Sequence, residues 1–120
     1  MKEYKVKVNK EGKYWYLNGN LHREDGPAIE YSNGDNEWYL NGKRHREDGP
    51  AIELNNVGKF WYLNGKRHRE DGPAIEYSNG DKYWYLNGEN LTKEEFIKRT
   101  QSCHGKIIEI EGKKYKLVEE

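Results

Sequence analysis

The chain has little of what usually builds a core or marks a chemistry. Its 120 residues contain a single cysteine, Cys103, so no internal disulfide can form and a reducing compartment suits it. No apolar run approaches the ~20 residues of a membrane-spanning helix, and no secretory h-region is present. The expected localisation is therefore cytoplasmic, with no membrane partner. Charge of one sign is not in excess: 21 basic residues face 21 acidic ones, and they interleave. Neither nucleic acid nor an anionic surface finds a long-range field to follow. A Gly-x-x-x-x-Gly-Lys phosphate cradle is missing too. Hydrophobic residues make up only 33% against 35% charged, which taken alone is the composition of a disordered segment.

Aromatic residues reverse that reading. Four Trp, ten Tyr and two Phe are present, most of them in a fixed register, and a thin aromatic core can replace a thick aliphatic one. Trp15-Tyr16-Leu17-Asn18-Gly19 returns at Trp38, Trp61 and Trp84, in steps of 23 residues. His22-Arg23-Glu24-Asp25-Gly26-Pro27-Ala28-Ile29-Glu30 returns at His45 and His68 in the same step. A period held without insertion marks a stacked array of supersecondary units.

Turn chemistry sets the path within a unit. Asn18-Gly19 and its copies suit a two-residue type I′ hairpin, which needs positive φ at both central positions. Asp25-Gly26-Pro27 makes a second turn, and Asn33-Gly34 or Asn79-Gly80 a third, softened to Asn55-Asn56-Val57-Gly58 in between. Short antiparallel strands over 27–31 and 36–40 follow. Residues 1–12 form an N-terminal half-repeat, with Glu3 to Val8 as an edge strand whose lysines deter pairing with another molecule. The array proper spans 13–88.

Alternation along each strand places Trp15 and Leu17 on one side, Tyr14 and Tyr16 on the other. Extended to the next strand, this predicts a core ladder of Trp15, Trp38, Trp61 and Trp84 with Ile29, Ile52 and Ile75, the indoles shelved on one another. The outer face then carries Tyr16, Tyr39, Tyr62 and Tyr85 beside Glu30, Glu53 and Glu76. After Gly88 the repeat breaks. Thr92 and Glu95 form a capping box, with Leu91 and Phe96 as a hydrophobic staple, predicting a helix over about 93–102 that caps the stack (segment 89–102). Residues 103–120 give a linker and a last hairpin, Lys106–Ile110 with Tyr115–Val118 joined at 111–113. The expected fold class is mostly β: an antiparallel β-meander of hairpin repeats, a C-terminal capping helix and a final β-hairpin.

The 23-residue unit, with its Trp-Tyr strand and the Lys43-Arg44-His45 and Lys66-Arg67-His68 stretches after Asn-Gly, resembles a MORN-type repeat. Where a typical unit has His-Gly, this chain has His-Arg-Glu-Asp-Gly-Pro. That version is similar to repeat proteins of bacteriophages and giant viruses, and the tail from Lys106 to Tyr115 resembles tails of small phage proteins. The resemblance covers about 13–99. It implies a MORN-like sheet, a phage-type protein and, if viral, the host-cell cytoplasm.

Candidate chemistry is sparse. His22, His45 and His68, each three residues before Asp25, Asp48 and Asp71, could be metal ligands or proton-transfer pairs. A stack repeats one residue at one level, however, whereas such sites gather unlike residues. The favoured reading is structural: Asp caps the turn, Arg pairs with an acid of an adjacent unit, and His packs beside Trp with one hydrogen bond. Arg23, Arg46 and Arg69 could grip phosphates or carboxylates, but Glu24, Glu47 and Glu70 alongside cancel much of their field. The tyrosine row with Glu30, Glu53 and Glu76 is the binding candidate, since tyrosines on a rigid sheet give contact area at low entropy cost. Those glutamates would repel a phosphate backbone. Cys103 and His104 lack a third group for nucleophilic catalysis. No enzyme, metal or cofactor is expected. The expected function is a protein-interaction module, plausible for a phage protein that blocks a host defence component. The alternatives are a small-ligand binder that sequesters a nucleotide or similar anion, and a structural array that self-associates as a homo-oligomer.

Overall fold

The computed structural model describes residues 3–102, 108–110 and 113–115. The protein is mostly β, an antiparallel sheet of sequence-adjacent hairpins with a single C-terminal helix among the described residues. The first unit contains β1 (Tyr4–Asn9), β2 (Gly12–Leu17), β3 (Asn20–Leu21) and β4 (Ile29–Tyr31). The second has β5 (Asn36–Glu37), β6 (Tyr39–Leu40), β7 (Lys43–Arg44) and β8 (Ile52–Leu54). The third repeats them as β9 (Gly58–Phe60), β10 (Tyr62–Leu63), β11 (Lys66–Arg67) and β12 (Ile75–Tyr77). The fourth is reduced to β13 (Lys82–Leu86) and β14 (Glu89–Leu91), followed by α1 (Lys93–Ser102).

Ten strands form one sheet, in the order β1-β2-β4-β5-β8-β9-β12-β13-β14 with β3 beside β2. The pairs β6-β7 and β10-β11 form separate two-stranded ladders. The Asn-Gly turns at 18–19, 41–42, 64–65 and 87–88 have positive φ at both residues, for example Asn41 at 52° and Gly42 at 79°, as the type I′ hairpin requires; at Asn33-Gly34 and Asn79-Gly80 only the glycine does. The turn at 32–34 is tied to the preceding unit: the Ser32 N–H donates to the Glu11 carbonyl and Ser32 Oγ to that of Lys10. The chain between β3 and β4 bulges out of the sheet as the His-Arg-Glu-Asp-Gly-Pro loop.

The register overturns the expected facing. Tyr14 pairs with Ile29, and Ile29 with Glu37. Cross-strand partners share a face, so Ile29, Ile52 and Ile75 lie with the tyrosines and not with the tryptophans. Glu30, paired with Lys13, lies on the indole side instead of beside Tyr16; Glu53 and Glu76, paired with Lys59, do the same. Slipping a register by one residue exchanges the two faces, and alternation within one strand carries no information across a loop or turn. Close approach fixes the register: a Cβ on Gly12 would run into the Glu30 carbonyl, and one on Gly58 would lie 2.6 Å from that of Glu76.

The core is correspondingly thin. Ala28, Ile29, Ala51, Ile52, Ala74, Ile75 and Tyr62 are buried, whereas the tryptophans are half-buried. Nor do the indoles stack on one another among the described residues, since each is covered by another group.

The helix ends the array as expected. The Thr92 N–H donates to Glu95 Oε1 and the Glu95 N–H to Thr92 Oγ1, while Leu91 and Phe96 are both buried. Phe96 packs on Trp84 at 6.5 Å between ring centroids. Lys93 Nζ, 6.0 Å from the Trp84 ring, stands where earlier units place an arginine. The last hairpin pairs β15 (Ile108–Ile110) with β16 (Lys113–Tyr115). Its connecting turn, the strand ends expected at 106–107 and 116–118, and the linker with Cys103 and His104 lie outside the described residues.

Candidate functional site

Each bulged loop closes over the tryptophan of its own unit. The guanidinium carbons of Arg23, Arg46 and Arg69 lie 3.9, 3.8 and 3.9 Å from the ring centroids of Trp15, Trp38 and Trp61. Arg23 Nε donates to Asp25 at 3.0 Å, and its Nη1 to Glu30 at 3.1 Å and to the Pro27 carbonyl at 3.2 Å. Arg46 and Arg69 repeat these bonds with Asp48 and Glu53, and with Asp71 and Glu76. Pairing is thus within a unit, not between adjacent units, because the loop folds back onto its own strand. Asp25 serves as the Arg23 partner rather than as a turn cap. Glycine at 26, 49 and 72 leaves room for the guanidinium; a Cβ at Gly49 would lie 2.9 Å from Arg46 Cζ.

Histidine is one of the links between units. The Asn41 N–H donates to His22 Nδ1 at 2.9 Å, and His22 Nε2 lies 3.1 Å from Glu24; His45 and His68 repeat this with Asn64 and Asn87. Each imidazole makes two polar contacts where one was expected. A backbone N–H can only donate, so Nδ1 holds the lone pair and the Nε2 proton faces the glutamate. No group of three or more His, Cys, Asp or Glu placed to hold a metal occurs among the described residues.

A groove of about 630 Å³ runs between the second and third loops, past Arg46, Asp48, Pro50, Trp61 and Arg69. Its guanidiniums already carry carboxylates. What the loops present outward is acidic: Glu47, Asp48, Glu70 and Asp71 are 78–89% exposed.

The opposite face is aromatic and basic. Tyr39 pairs with Arg44 and Tyr62 with Arg67 across their hairpins. Arg44 lies over the Tyr62 ring and Arg67 over that of Tyr85, at 5.4 and 5.2 Å. Arg67 also donates to the phenol oxygens of Tyr62 and Tyr85 at 3.4 and 3.3 Å. The result is an alternating ladder, Tyr39–Arg44–Tyr62–Arg67–Tyr85. Of the expected tyrosine row, Tyr62 is buried and Tyr16, Tyr39 and Tyr85 are half-buried. More exposed are Tyr83 and Tyr77, at 43% and 36%. Tyr77 meets both Phe60 and Tyr83 edge-to-face.

Glu37 interrupts this face where other units carry an aromatic ring. Its two oxygens accept from Tyr39 at 2.8 Å and Tyr31 at 3.3 Å. Burial, with the Glu37 charge next, pushes the Tyr31 phenol up to about 12. Tyr39 is raised by burial and then by its hydrogen bond to Glu37. Burial pulls Arg44 down, but Tyr39, Tyr62 and Glu37 outweigh it and hold the group above its ordinary value.

Arg44, Arg67 and Glu37 were not among the binding residues expected from sequence. The signal was present: a two-residue Asn-Gly turn makes residues five apart cross-strand partners, which places Arg44 beside Tyr39. Lys5 and Lys7, partners of Tyr16 and Tyr14, share the face. A chain of zero net charge therefore carries an acidic loop face and a basic aromatic face.

No protein-family model matches the chain, and neither a curated protein nor a solved structure gives a match.

Proposed function

We propose that the chain is a non-enzymatic protein-interaction module, a MORN-like array whose tyrosine face docks a partner protein. One observation carries this. Tyrosine, phenylalanine and isoleucine side chains gather on one side of the sheet, where the isoleucines and Tyr62 are buried while Tyr77, Tyr83 and Arg67 stay exposed. Exposed aromatic rings on a rigid sheet offer contact area at low entropy cost, and tyrosine and arginine are the residues that anchor interfaces. The loop face supports a small-anion reading less well, because its arginines are already neutralised. Following the phage resemblance, the partner is a host protein, such as a defence component, blocked by occlusion.

The test is affinity capture from candidate host cells with three baits. Wild type and Asp48→Lys, altered on the loop face, should retain the same partner, and Tyr83→Glu should lose it. Retention by Tyr83→Glu together with loss by Asp48→Lys would move the function to the loops.

A further inference from the structure

We propose that the Tyr39–Arg44–Tyr62–Arg67–Tyr85 ladder is a docking strip for an extended acidic segment of a partner protein, carrying a carboxylate at every third residue. This rests on the tyrosine face being the docking surface and names the part of it that selects.

The two arginine sets of this chain differ in their counter-charges. Arg23, Arg46 and Arg69 each hold two carboxylates. Arg44 and Arg67 form no ion pair among the described residues; phenol rings are their contacts, and the Glu37 carboxylate acts on Arg44 without pairing with it. Arg44 Nε is buried and has no hydrogen-bond partner. Guanidiniums placed over phenol rings, and for Arg67 also bonded to two phenol oxygens, have lost part of their rotamer freedom, and a planar fork suits a carboxylate better than an ammonium does. Lys5 and Lys7 add positive charge to the same side. Complementarity thus points to an acidic partner.

Pitch selects its conformation. The hairpins lie side by side, with the Gly65 N–H donating to Arg44 and the Gly88 N–H to Arg67, so Arg44 and Arg67 sit two strands apart. At ~4.8 Å per strand that is roughly 10 Å. A polyproline II segment rises ~3.1 Å per residue with three residues per turn, returning a side chain to one side every ~9.3 Å. A β-strand returns one every ~6.7 Å, and an α-helix meets the spacing only at every seventh residue. With Tyr62 buried, the residues flanking the carboxylates would lie on the half-buried Tyr85, as proline does on aromatic surfaces.

The experiment uses the full chain and fluorescein-labelled (Glu-Pro-Pro)4 in an anisotropy titration. The comparators are (Glu-Pro)6, (Lys-Pro-Pro)4 and phosphatidylserine vesicles. Binding should be saturable, weaken with salt and exceed that of (Glu-Pro)6 by about fivefold or more. Arg67→Gln should weaken it about tenfold, whereas Lys66→Gln, which removes an equal charge from a residue paired to Leu63, should change it less than about twofold. Absence of binding, equal loss in both variants, equal binding of (Lys-Pro-Pro)4, or binding to the vesicles alone would overturn the proposal. A captured partner lost by Tyr83→Glu but kept by Arg67→Gln would sink the ladder and leave the face standing.

Discussion

Arg46 holds its guanidinium carbon 3.8 Å from the centre of the Trp38 indole while bridging Asp48 and Glu53. One side chain therefore covers the tryptophan, closes the loop and fixes β8. Asp48 is almost fully exposed, so its share is small; the stack and the more shielded Glu53 dominate. Arg46→Ala should cost about 2–3 kcal/mol, and Arg46→Lys, which keeps charge but loses the planar fork, about 1–2 kcal/mol. Urea unfolding followed by tryptophan fluorescence measures both. Equal midpoints for wild type and Arg46→Ala would show the stack to be ornamental.

His45 accepts the Asn64 N–H at 2.9 Å across a unit boundary. His45→Ala leaves that amide to water and should cost about 1 kcal/mol. His45→Asn, which can offer an oxygen near the Nδ1 position, should recover part of it. Amide exchange at Asn64 separates this from a general loss of packing: its protection should fall in the alanine variant and largely return in the asparagine one. Unchanged exchange at Asn64 would mean that the imidazole does not link the units.

The hairpins and the helix were legible in the sequence because their signals are local. Asn18-Gly19 needs no distant residue to turn, and Thr92 with Glu95 satisfies the helix start by itself. Facing was not legible between strands. Whether Ile29 joins Trp15 or Tyr14 depends on the register across the His22–Ala28 bulge, which is set by the contact of Gly12 with the Glu30 backbone. The same gap hid the ladder: Arg44 was visible as part of Lys-Arg-His, but its place between Tyr39 and Tyr62 follows from how hairpins abut. Arg23 was recognised as a pairing residue, and only the returning loop reveals that its partners belong to its own unit.

The corrected facing changes which aromatic residue matters most. Tyr62 is buried against Ala51 and Ile52, with Trp38, Leu54 and Phe60 packed around them, while Trp61 is half-buried under Arg69. Tyr62→Ala should cost on the order of 3–5 kcal/mol, at least as much as Trp61→Ala. Tyr83→Ala, at the exposed end of the same face, should cost less than about 1 kcal/mol. Thermal and urea unfolding of the three variants provide the check. A much larger loss for Trp61→Ala would return the core to the indole side.

Glu37 makes one prediction about alkaline pH. Tyr31 is raised from 10.0 to about 12 by burial first and the Glu37 carboxylate second, and Tyr39 moves the same way. Between these values the folded chain keeps phenol protons that the unfolded chain has released. Stability from this source is therefore complete below about pH 10 and lost as pH rises through about 12. Glu37→Gln removes the charge but not the burial, so Tyr31 should titrate lower than in wild type while staying above 10.0, its ordinary value. Phenolate absorbance of wild type and Glu37→Gln, with Tyr31→Phe to assign the late component, reads the shift directly. Superimposable alkaline titrations of the first two would show that Glu37 does not hold the Tyr31 proton.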